Sequence, residues 1–228
     1  MALKVIIFGA TGMVGQGALL EACKTPDLSE ILCITRNKIQ KTNPKIKNIV
    51  LKNLFDLNSI QDQLKGYDAC FFCLGTSSLG KSEKQYKHIS YDLTLKNAEI
   101  LKAKNPNMTF IYVSAAGADS SEKGKVMWAR VRGKIENKLF SLGFKSVHSM
   151  RPSYIQPFDG IKSRTTLYRI LYNLVGFAFP LFQRITPNSV TSTRSIGKAM
   201  IYLARTHQGP KILGPKEINE LAHKIEST

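Results

Sequence analysis

A glycine-rich turn between an apolar strand and a helix constrains this chain more than any other feature of its sequence. Residues 4–8 form a mainly apolar, β-branched run, and the turn that follows reads GATGMVG over residues 9–15. In such a turn the first glycine permits the tight bend, the second lets the backbone approach a pyrophosphate, and the third lets the helix pack closely. The helix then presents its amino end to the anion. The sequence therefore predicts dinucleotide contacts from Gly9, Thr11, Gly12, Met13, Val14 and Gly15.

Beyond this turn, apolar runs alternate with segments of helical periodicity. The runs predict further strands at residues 30–35, 47–51, 68–74, 109–114 and 145–150, and the periodic segments predict helices at 12–24, 86–104 and 125–142. Near-continuous apolar strands that alternate with helices are typical of a parallel sheet covered on both faces. We therefore predict an α/β fold, a doubly wound parallel sheet of the Rossmann type, with a core over about residues 3–150.

The alternation weakens after Arg151, and four prolines interrupt the chain between residues 152 and 187. Two helical pieces are predicted there, at about 165–183 and 193–206. We expect residues 151–228 to form a small, mostly helical substrate region over the carboxyl ends of the strands, where ligands bind in this architecture. Because 228 residues support one sizeable core, the whole chain is predicted to be a single domain.

The end of the second predicted strand indicates which dinucleotide is preferred. In NAD-selective folds an acidic side chain there binds the ribose hydroxyls, yet no Asp or Glu occurs between Glu30 and Asp56. Arg36 stands at this strand end, and an arginine can clamp a 2′-phosphate in a bidentate fork. The sequence therefore favours NADP(H) over NAD(H), with a plain surface role for Arg36 as the alternative.

Further cofactor contacts are predicted where neighbouring strands end. Asp56 is placed to accept a hydrogen bond from an adenine amino group, with Leu57 beside it, although a helix N-cap would look the same. The fourth strand ends beside the first, and its last residues are expected to line the cofactor through backbone groups: Cys73, Leu74, Gly75 and Thr76.

Several motifs resemble those of the short-chain dehydrogenase/reductase superfamily. GATGMVG, ITRN, FD, CLGTS, VSAAGAD and RPSYI occur in its typical order, over about residues 3–205. They are most similar to the atypical NAD(P)H-binding branch, near the Tat-interacting-protein oxidoreductases and bacterial NAD-dependent epimerase/dehydratase-like proteins. The resemblance implies one extended Rossmann domain with a small C-terminal substrate region. It also implies cofactor contacts from Ser114, Arg132 and Pro152.

The same resemblance exposes a gap in the catalytic residues. Enzymes of the superfamily use a serine after the fifth strand and a Tyr-x-x-x-Lys on the next helix. Ser114 stands at the serine position, but alignment on Gly133 and Glu136 puts Trp128 at the tyrosine and Arg132 at the lysine. An indole N–H is a donor only, and arginine does not act as a base near neutral pH. The usual acid–base pair is therefore missing.

Three hypotheses for function follow. The first is an oxidoreductase of an unknown small substrate, with Ser114, Arg132 and Tyr154 as catalytic residues. Tyr154 is the substitute proton donor there, Lys134 is a weaker one, and a packing role for Tyr154 is the alternative. The second is an NADPH-binding sensor or regulatory protein without turnover. The third is a peripheral membrane protein anchored by residues 167–183, a segment for which covering the substrate pocket is the competing role.

The net charge and the cysteines limit which partners and which cellular compartment are expected. A net charge of +17 attracts anionic partners without selecting among them, and no nucleic-acid motif is present. The longest uncharged apolar stretch, residues 170–183, would span about 21 Å as a helix, too short to cross roughly 30 Å of hydrocarbon. Cys70 and Cys73, three apart in a strand, are expected to be reduced structural thiols on opposite faces. They predict a cytoplasmic location and, with no metal-ligand spacing to the histidines, no metal site.

Overall fold

The computed structural model describes residues 2–40, 43–161 and 189–226. Its strands are β1 (Leu3–Phe8), β2 (Leu28–Thr35), β3 (Ile46–Val50), β4 (Ala69–Phe72), β5 (Thr109–Val113), β6 (Ser146–Met150), β7 (Tyr154–Gln156), β8 (Val190–Ser192) and β9 (Ile212–Leu213). Its helices are α1 (Met13–Lys24), α2 (Glu83–Lys87), α3 (Leu93–Lys104), α4 (Met127–Ser141), α5 (Thr193–Thr206) and α6 (Pro215–Glu226). A π-helical turn, His88–Asp92, joins α2 to α3, and a 3-10 segment spans Leu57–Leu64.

Seven strands form one parallel sheet in the order β3-β2-β1-β4-β5-β6-β9, and β7 pairs in parallel with β8. The strand order reverses between β1 and β4. This reversal creates the crevice at the carboxyl ends of the strands where such sheets bind ligands. The predicted doubly wound parallel sheet is therefore confirmed.

Helices cover both faces of the sheet because strand side chains alternate between them. Val5 and Ile7 of β1 pack into one apolar cluster together with residues of α1, α5 and α6. Ile6 and Phe8 point the other way, into a second cluster with residues of α3, α4 and the 3-10 segment. The rings of Phe8, Phe72 and Phe110 lie next to one another across β1, β4 and β5 on that second face.

Helix α5 packs closely against α1. A Cβ on Gly17 of α1 would come within 2.6 Å of the Thr193 carbonyl oxygen, and one on Gly197 would lie 3.0 Å from the Gly17 oxygen. The two helices therefore cross in backbone contact on one face of the sheet. The expectation that residues 151–228 cover the carboxyl ends of the strands stays a prediction. Strand β9, which was not predicted, joins the sheet beside β6. The predicted helix at 165–183 lies outside the described residues.

Candidate cofactor and active site

The glycine turn has the geometry that a bound pyrophosphate requires. Gly9 has a φ of +76°, and a Cβ there would lie 2.7 Å from the Cys73 carbonyl oxygen. A Cβ on Gly15 would overlap the carbonyl oxygen of Gly9. At Gly12, whose N–H donates to Gly9 at 2.8 Å, a Cβ would meet only that same oxygen, at 3.3 Å. The turn is thus tightly packed at Gly9 and Gly15 and open at Gly12.

The amino end of α1 leaves its backbone N–H groups available to an anion. Gly12 is the N-cap and has no side chain to accept from them, and the first turn of α1 carries no acidic residue. Met13 and Val14 pack their side chains against the apolar cluster beneath α1, so their predicted contacts with a cofactor come from the backbone. The Thr11 carbonyl accepts a hydrogen bond from Gln16 at 3.2 Å.

A basic pocket of about 320 Å³ lies at the ends of β2, β3 and β4. It brings together four of the predicted cofactor residues, namely Arg36, Leu74, Gly75 and Thr76. Its other lining residues are Lys52, Asn53, Leu54, Phe55, Ile89 and Leu93, so none of the lining residues is acidic. Lys52 was not predicted as a cofactor residue. The register that pairs Thr35 with Val50 puts the residues after β2 beside those after β3 and explains why Lys52 shares the pocket with Arg36.

The two neighbouring candidates, Asp56 and Leu57, differ in how accessible their side chains are to a cofactor. Asp56 is exposed, and its carboxylate makes no capping hydrogen bond to the 3-10 segment that follows it. The N-cap role that competed with adenine binding is therefore not what this carboxylate does. Leu57 is fully buried in the apolar cluster beside α3 and α4. Any cofactor contact from Leu57 is confined to its backbone.

The cysteines at the end of β4 are structural, as expected. Cys70 packs in the apolar cluster on one face of the sheet, whereas Cys73 packs against the cluster on the other, and no disulfide joins them. Burial raises the pKa of the Cys73 thiol to about 12 and that of Cys70 well above its usual value. The Cys73 N–H donates to the Phe8 carbonyl at 3.0 Å, which joins the end of β4 to the glycine turn.

Ser114 is a buried hydroxyl without a partner in the described part of the chain. Its backbone N–H donates to the Met150 carbonyl at 2.7 Å, which fixes it at the carboxyl end of β5, and the residue is 5% exposed. Its Oγ makes no hydrogen bond to any described residue. A buried hydroxyl left unpaired costs about 1–3 kcal/mol, so a ligand or water oxygen is expected to bind it.

Arg132 is held from two sides beside Ser114. Its Nε donates to the Tyr86 phenol oxygen at 3.2 Å, and its Nη1 donates to the Val113 carbonyl at 3.3 Å. Its Nη2 lies 3.7 Å from the position of a Cβ on Gly75, a residue that lines the basic pocket. Arg132 therefore connects the catalytic-serine position to the cofactor crevice.

The tyrosine position of the resembled motif serves packing in this chain. Trp128, at the start of α4, lies with its ring 3.3 Å from the position of a Cβ on Gly117, whose φ is +85°. Tyr154 is half-buried on β7 and donates its phenolic proton to Gln156 Oε1 at 2.8 Å, and burial raises its pKa. Lys134 is exposed, with its ammonium 5.6 Å from the centre of the Tyr91 ring. The catalytic role of Tyr154 stays a prediction.

Two motif residues used for the alignment hold the loops around this site. A Cβ on Gly133 would overlap the Asp119 carbonyl oxygen, so α4 and the loop after β5 are in backbone contact there. Glu136 is fully buried and accepts hydrogen bonds from Ser149 Oγ at 2.9 Å and from the Arg151 guanidinium. The Pro152 carbonyl, predicted to contact the cofactor, accepts from the Ala116 N–H at 3.0 Å. These bonds tie the segments after β5 and β6 together.

The described ranges contain neither a possible membrane-spanning helix nor a possible metal cluster. Across residues 2–40, 43–161 and 189–226, no helix is long and apolar enough to cross a bilayer. Over the same ranges, three or more His, Cys, Asp or Glu side chains nowhere gather into a possible metal site. The proposed membrane anchor at 167–183 lies outside the described residues.

Solved structures with this architecture include several dehydrogenases and an epimerase. A short-chain dehydrogenase from Burkholderia cenocepacia in complex with NADP superimposes with a TM-score of 0.65 and 13% identity, over 99% of this chain and 93% of that one. A UDP-N-acetylglucosamine 4-epimerase from Methanobrevibacter ruminantium gives 0.66 and 17%, over 99% and 81%. The chain has the short-chain dehydrogenase fold. This agrees with the resemblance seen in its motifs.

Curated proteins similar in sequence to this chain include fungal FMP52 proteins, while no family model matches the chain. The Saccharomyces cerevisiae protein is 30% identical over 150 residues, 64% of this chain and 63% of its own length. The Meyerozyma guilliermondii protein is 24% identical over 234 residues, 99% and 97% of the two chains. The chain thus spans just under two thirds of the first of these relatives.

The predicted cytoplasmic location is wrong. The relatives from Saccharomyces cerevisiae, Eremothecium gossypii, Meyerozyma guilliermondii and Emericella nidulans are all named as mitochondrial proteins. The prediction rested on reduced thiols, and these argue against an oxidising compartment without distinguishing among the reducing ones.

Proposed function

We propose that this chain binds NADP(H) in preference to NAD(H) and uses it as an oxidoreductase on a small substrate. The observation that carries the proposal is the basic pocket, where Arg36 and Lys52 stand together and none of the lining side chains is acidic. A 2′-phosphate binds favourably between two cations, whereas the ribose diol of NAD(H) would find no carboxylate among these lining residues.

The glycine turn supports the same proposal at the middle of the cofactor. Gly12 is the open position of the turn, and the amino end of α1 behind it offers unpaired N–H groups to a pyrophosphate. Gly75 and Arg132 lie between the basic pocket and Ser114: Gly75 lines the pocket, and Arg132 lies beside Gly75 and donates to the Val113 carbonyl next to Ser114. The residues present therefore fit an extended dinucleotide along the carboxyl ends of β1, β2, β4 and β5.

At the reacting end, NADP(H) supplies or accepts the hydride when it is bound. In this proposal the buried Ser114 hydroxyl donates a hydrogen bond to the substrate oxygen, and Tyr154 exchanges the proton with that oxygen. Burial raises the pKa of Tyr154, so its phenol stays protonated at neutral pH, and in this proposal the O–H turns from Gln156 to the substrate.

A second candidate function is an NADPH-binding sensor or regulatory protein that does not turn over. Trp128 favours it, because an indole packed on Gly117 occupies the position where the resembled enzymes carry the catalytic phenol. The commitment of Arg132 to Tyr86 and Val113 favours it as well, since two of its donors are already used.

A thermal-shift titration tests the cofactor. NADPH, NADP and NADH are titrated against the wild type, Arg36→Ala and the control Arg205→Ala, whose arginine pairs with Asp27. A ligand bound only by the folded state at a hundredfold excess over its Kd stabilises by about 2.7 kcal/mol. We expect stabilisation by the phosphorylated pair, lost in Arg36→Ala and kept in Arg205→Ala. No shift with any dinucleotide would refute the proposal.

NADPH oxidation with a panel of aldehydes and ketones separates the two candidates. An oxidoreductase oxidises NADPH with at least one of them, and Tyr154→Phe then lowers kcat while leaving the Kd for NADPH unchanged. Binding without oxidation by the wild type across the panel would favour the sensor.

A further inference from the structure

We propose that Tyr86 is a positioning residue, whose phenol orients Arg132 toward the nicotinamide half of NADP(H). This inference rests on the proposed binding of that cofactor. It gives a role to a buried tyrosine that lies 46 residues before Arg132 in the sequence and outside the motifs that identify the fold.

The contacts of the guanidinium define its orientation. Nε donates to Tyr86 and Nη1 to the Val113 carbonyl, and these two bonds fix the plane of the group. Val113 directly precedes Ser114, which the proposed function puts at the nicotinamide end, and Nη2 is left on the side of Gly75, at the edge of the basic pocket. A fork held at two corners presents its remaining donors in a fixed direction, at little further cost in conformational entropy.

The partners of Arg132 leave its charge available to a ligand. Tyr86 and Tyr112, both nearly fully buried, flank the guanidinium, and burial raises the pKa of Tyr112 to about 12. In the described part of the chain, no carboxylate lies within salt-bridge distance of Arg132. The guanidinium is largely desolvated, and the Glu136 carboxylate attracts it only from beyond salt-bridge distance, so an anionic or oxygen-rich ligand beside it is favoured.

Tyr86 acts through Arg132 and does not transfer a proton to a substrate. It is 1% exposed and packs in the apolar cluster with α3 and α4, so a substrate cannot reach its oxygen. Its helix is fixed one residue earlier by a capping box, in which Gln85 N–H donates to Ser82 Oγ and Ser82 N–H donates to Gln85 Oε1. The π-turn directly after α2 belongs to a class of irregularity found frequently at functional sites.

Calorimetric titration with two ligands tests this role. NADPH contains the nicotinamide half, and 2′,5′-ADP contains only the adenine half with its 2′-phosphate. We expect Tyr86→Phe to weaken NADPH binding about tenfold and to change 2′,5′-ADP binding less than about twofold, because one hydrogen bond to a charged group is lost. Tyr91→Phe is the matched control, a half-buried tyrosine beside Lys87 and Lys134. It is expected to leave both affinities unchanged.

Arg132→Met provides the second arm, in case Tyr86→Phe folds poorly. This variant should also lose affinity for NADPH and keep its affinity for 2′,5′-ADP. The double variant Tyr86→Phe/Arg132→Met should bind NADPH no more weakly than Arg132→Met alone, because Tyr86 acts through the arginine. Equal losses for both ligands, an unchanged NADPH affinity in Arg132→Met, or additive losses in the double variant would overturn the inference. Wild-type binding of 2′,5′-ADP and NADPH with equal affinity would overturn it while sparing the adenine site. Failure of the wild type to bind either ligand would refute the proposed function itself.

Discussion

At the scale of single residues, the same type of side chain does different work at neighbouring positions. Gly9 and Gly15 are required by packing, since a Cβ on either would collide with backbone carbonyls. A Cβ on Gly12 would meet only the Gly9 carbonyl oxygen, at 3.3 Å, so packing requires this glycine less strictly than the other two. Arg36 is exposed beside a pocket, whereas Arg132 is held inward by a phenol and a carbonyl. Surroundings, and not residue type, separate the structural from the binding roles.

The contrast between two glycines gives the first prediction. Gly15→Ala should lower the free energy of unfolding by about 3 kcal/mol, because the new Cβ overlaps the Gly9 carbonyl. Gly12→Ala should cost about 1 kcal/mol, because its Cβ meets the same oxygen only at 3.3 Å, yet it should abolish stabilisation by NADPH. Urea unfolding with and without NADPH measures both. A Gly12→Ala protein that binds NADPH normally would contradict the assignment of the turn.

Lys52 gives a second prediction at this scale. Lys52→Ala should weaken NADPH binding about fivefold and leave NADH binding unchanged, because the lost charge faces the 2′-phosphate. Lys65→Ala, at another exposed lysine, is the control and should change neither affinity. Titration calorimetry decides the matter. Equal losses for NADPH and NADH in Lys52→Ala would show a general electrostatic effect and no 2′-phosphate contact.

At the scale of secondary-structure elements, a few buried polar contacts connect the helices to the ends of the strands. Glu136 of α4 and Arg151 after β6 form one such contact, sealed from solvent on the glutamate side. His148 of β6 and the carbonyl of Pro210 before β9 form another, at 2.8 Å. Each contact joins two segments whose positions along the chain can be predicted from sequence, whereas the contact between them cannot.

The ion pair of α4 leads to the third prediction. Glu136→Gln should lower the free energy of unfolding by about 3 kcal/mol, since it leaves the largely buried Arg151 without its counter-charge. Glu83→Gln breaks the exposed pair with Arg130 and should cost at most about 1 kcal/mol. Urea denaturation of both variants gives the comparison. Similar costs for the two pairs would contradict the structural role given to Glu136.

The histidine of β6 leads to a fourth prediction, on pH. Burial lowers the pKa of His148, and the nearby His207 lowers it further, while Nε2 makes no bond to any described residue. The unfolded chain therefore takes up a proton near pH 6.5 that the folded chain refuses, and stability falls as the pH drops below that value. His148→Asn should flatten this slope, and His88→Asn, at an exposed site, should not. An unchanged slope in His148→Asn would contradict this account of acid sensitivity.

At the scale of the whole molecule, the sequence predicts the sheet better than it predicts the C-terminal region. Apolar runs and the glycine turn are local signals, and they suffice to predict the segments that form β1 to β6. Helix α5 shows the limit of local signals. Its periodicity predicts a helix, but it does not predict that Gly197 packs on Gly17 of α1. β9 has two residues and carries no pattern at all.

The candidate site shows the same division. The turn and Arg36 could be read from the sequence, since each follows a predicted strand. Lys52 required the register between β2 and β3, and Tyr86 required a contact across 46 residues that no spacing rule encodes. Leu57 directly follows the FD motif, but its side chain is buried in the core. Long-range contacts, then, decide which motif residues face the ligand.

Titration calorimetry of the wild type with NADPH and NADH tests the proposed binding of a phosphorylated dinucleotide most directly. The basic pocket around Arg36 and Lys52 predicts a Kd for NADPH at least about tenfold lower than that for NADH. Equal affinity for the two dinucleotides, tighter binding of NADH, or no heat of binding with either would contradict it.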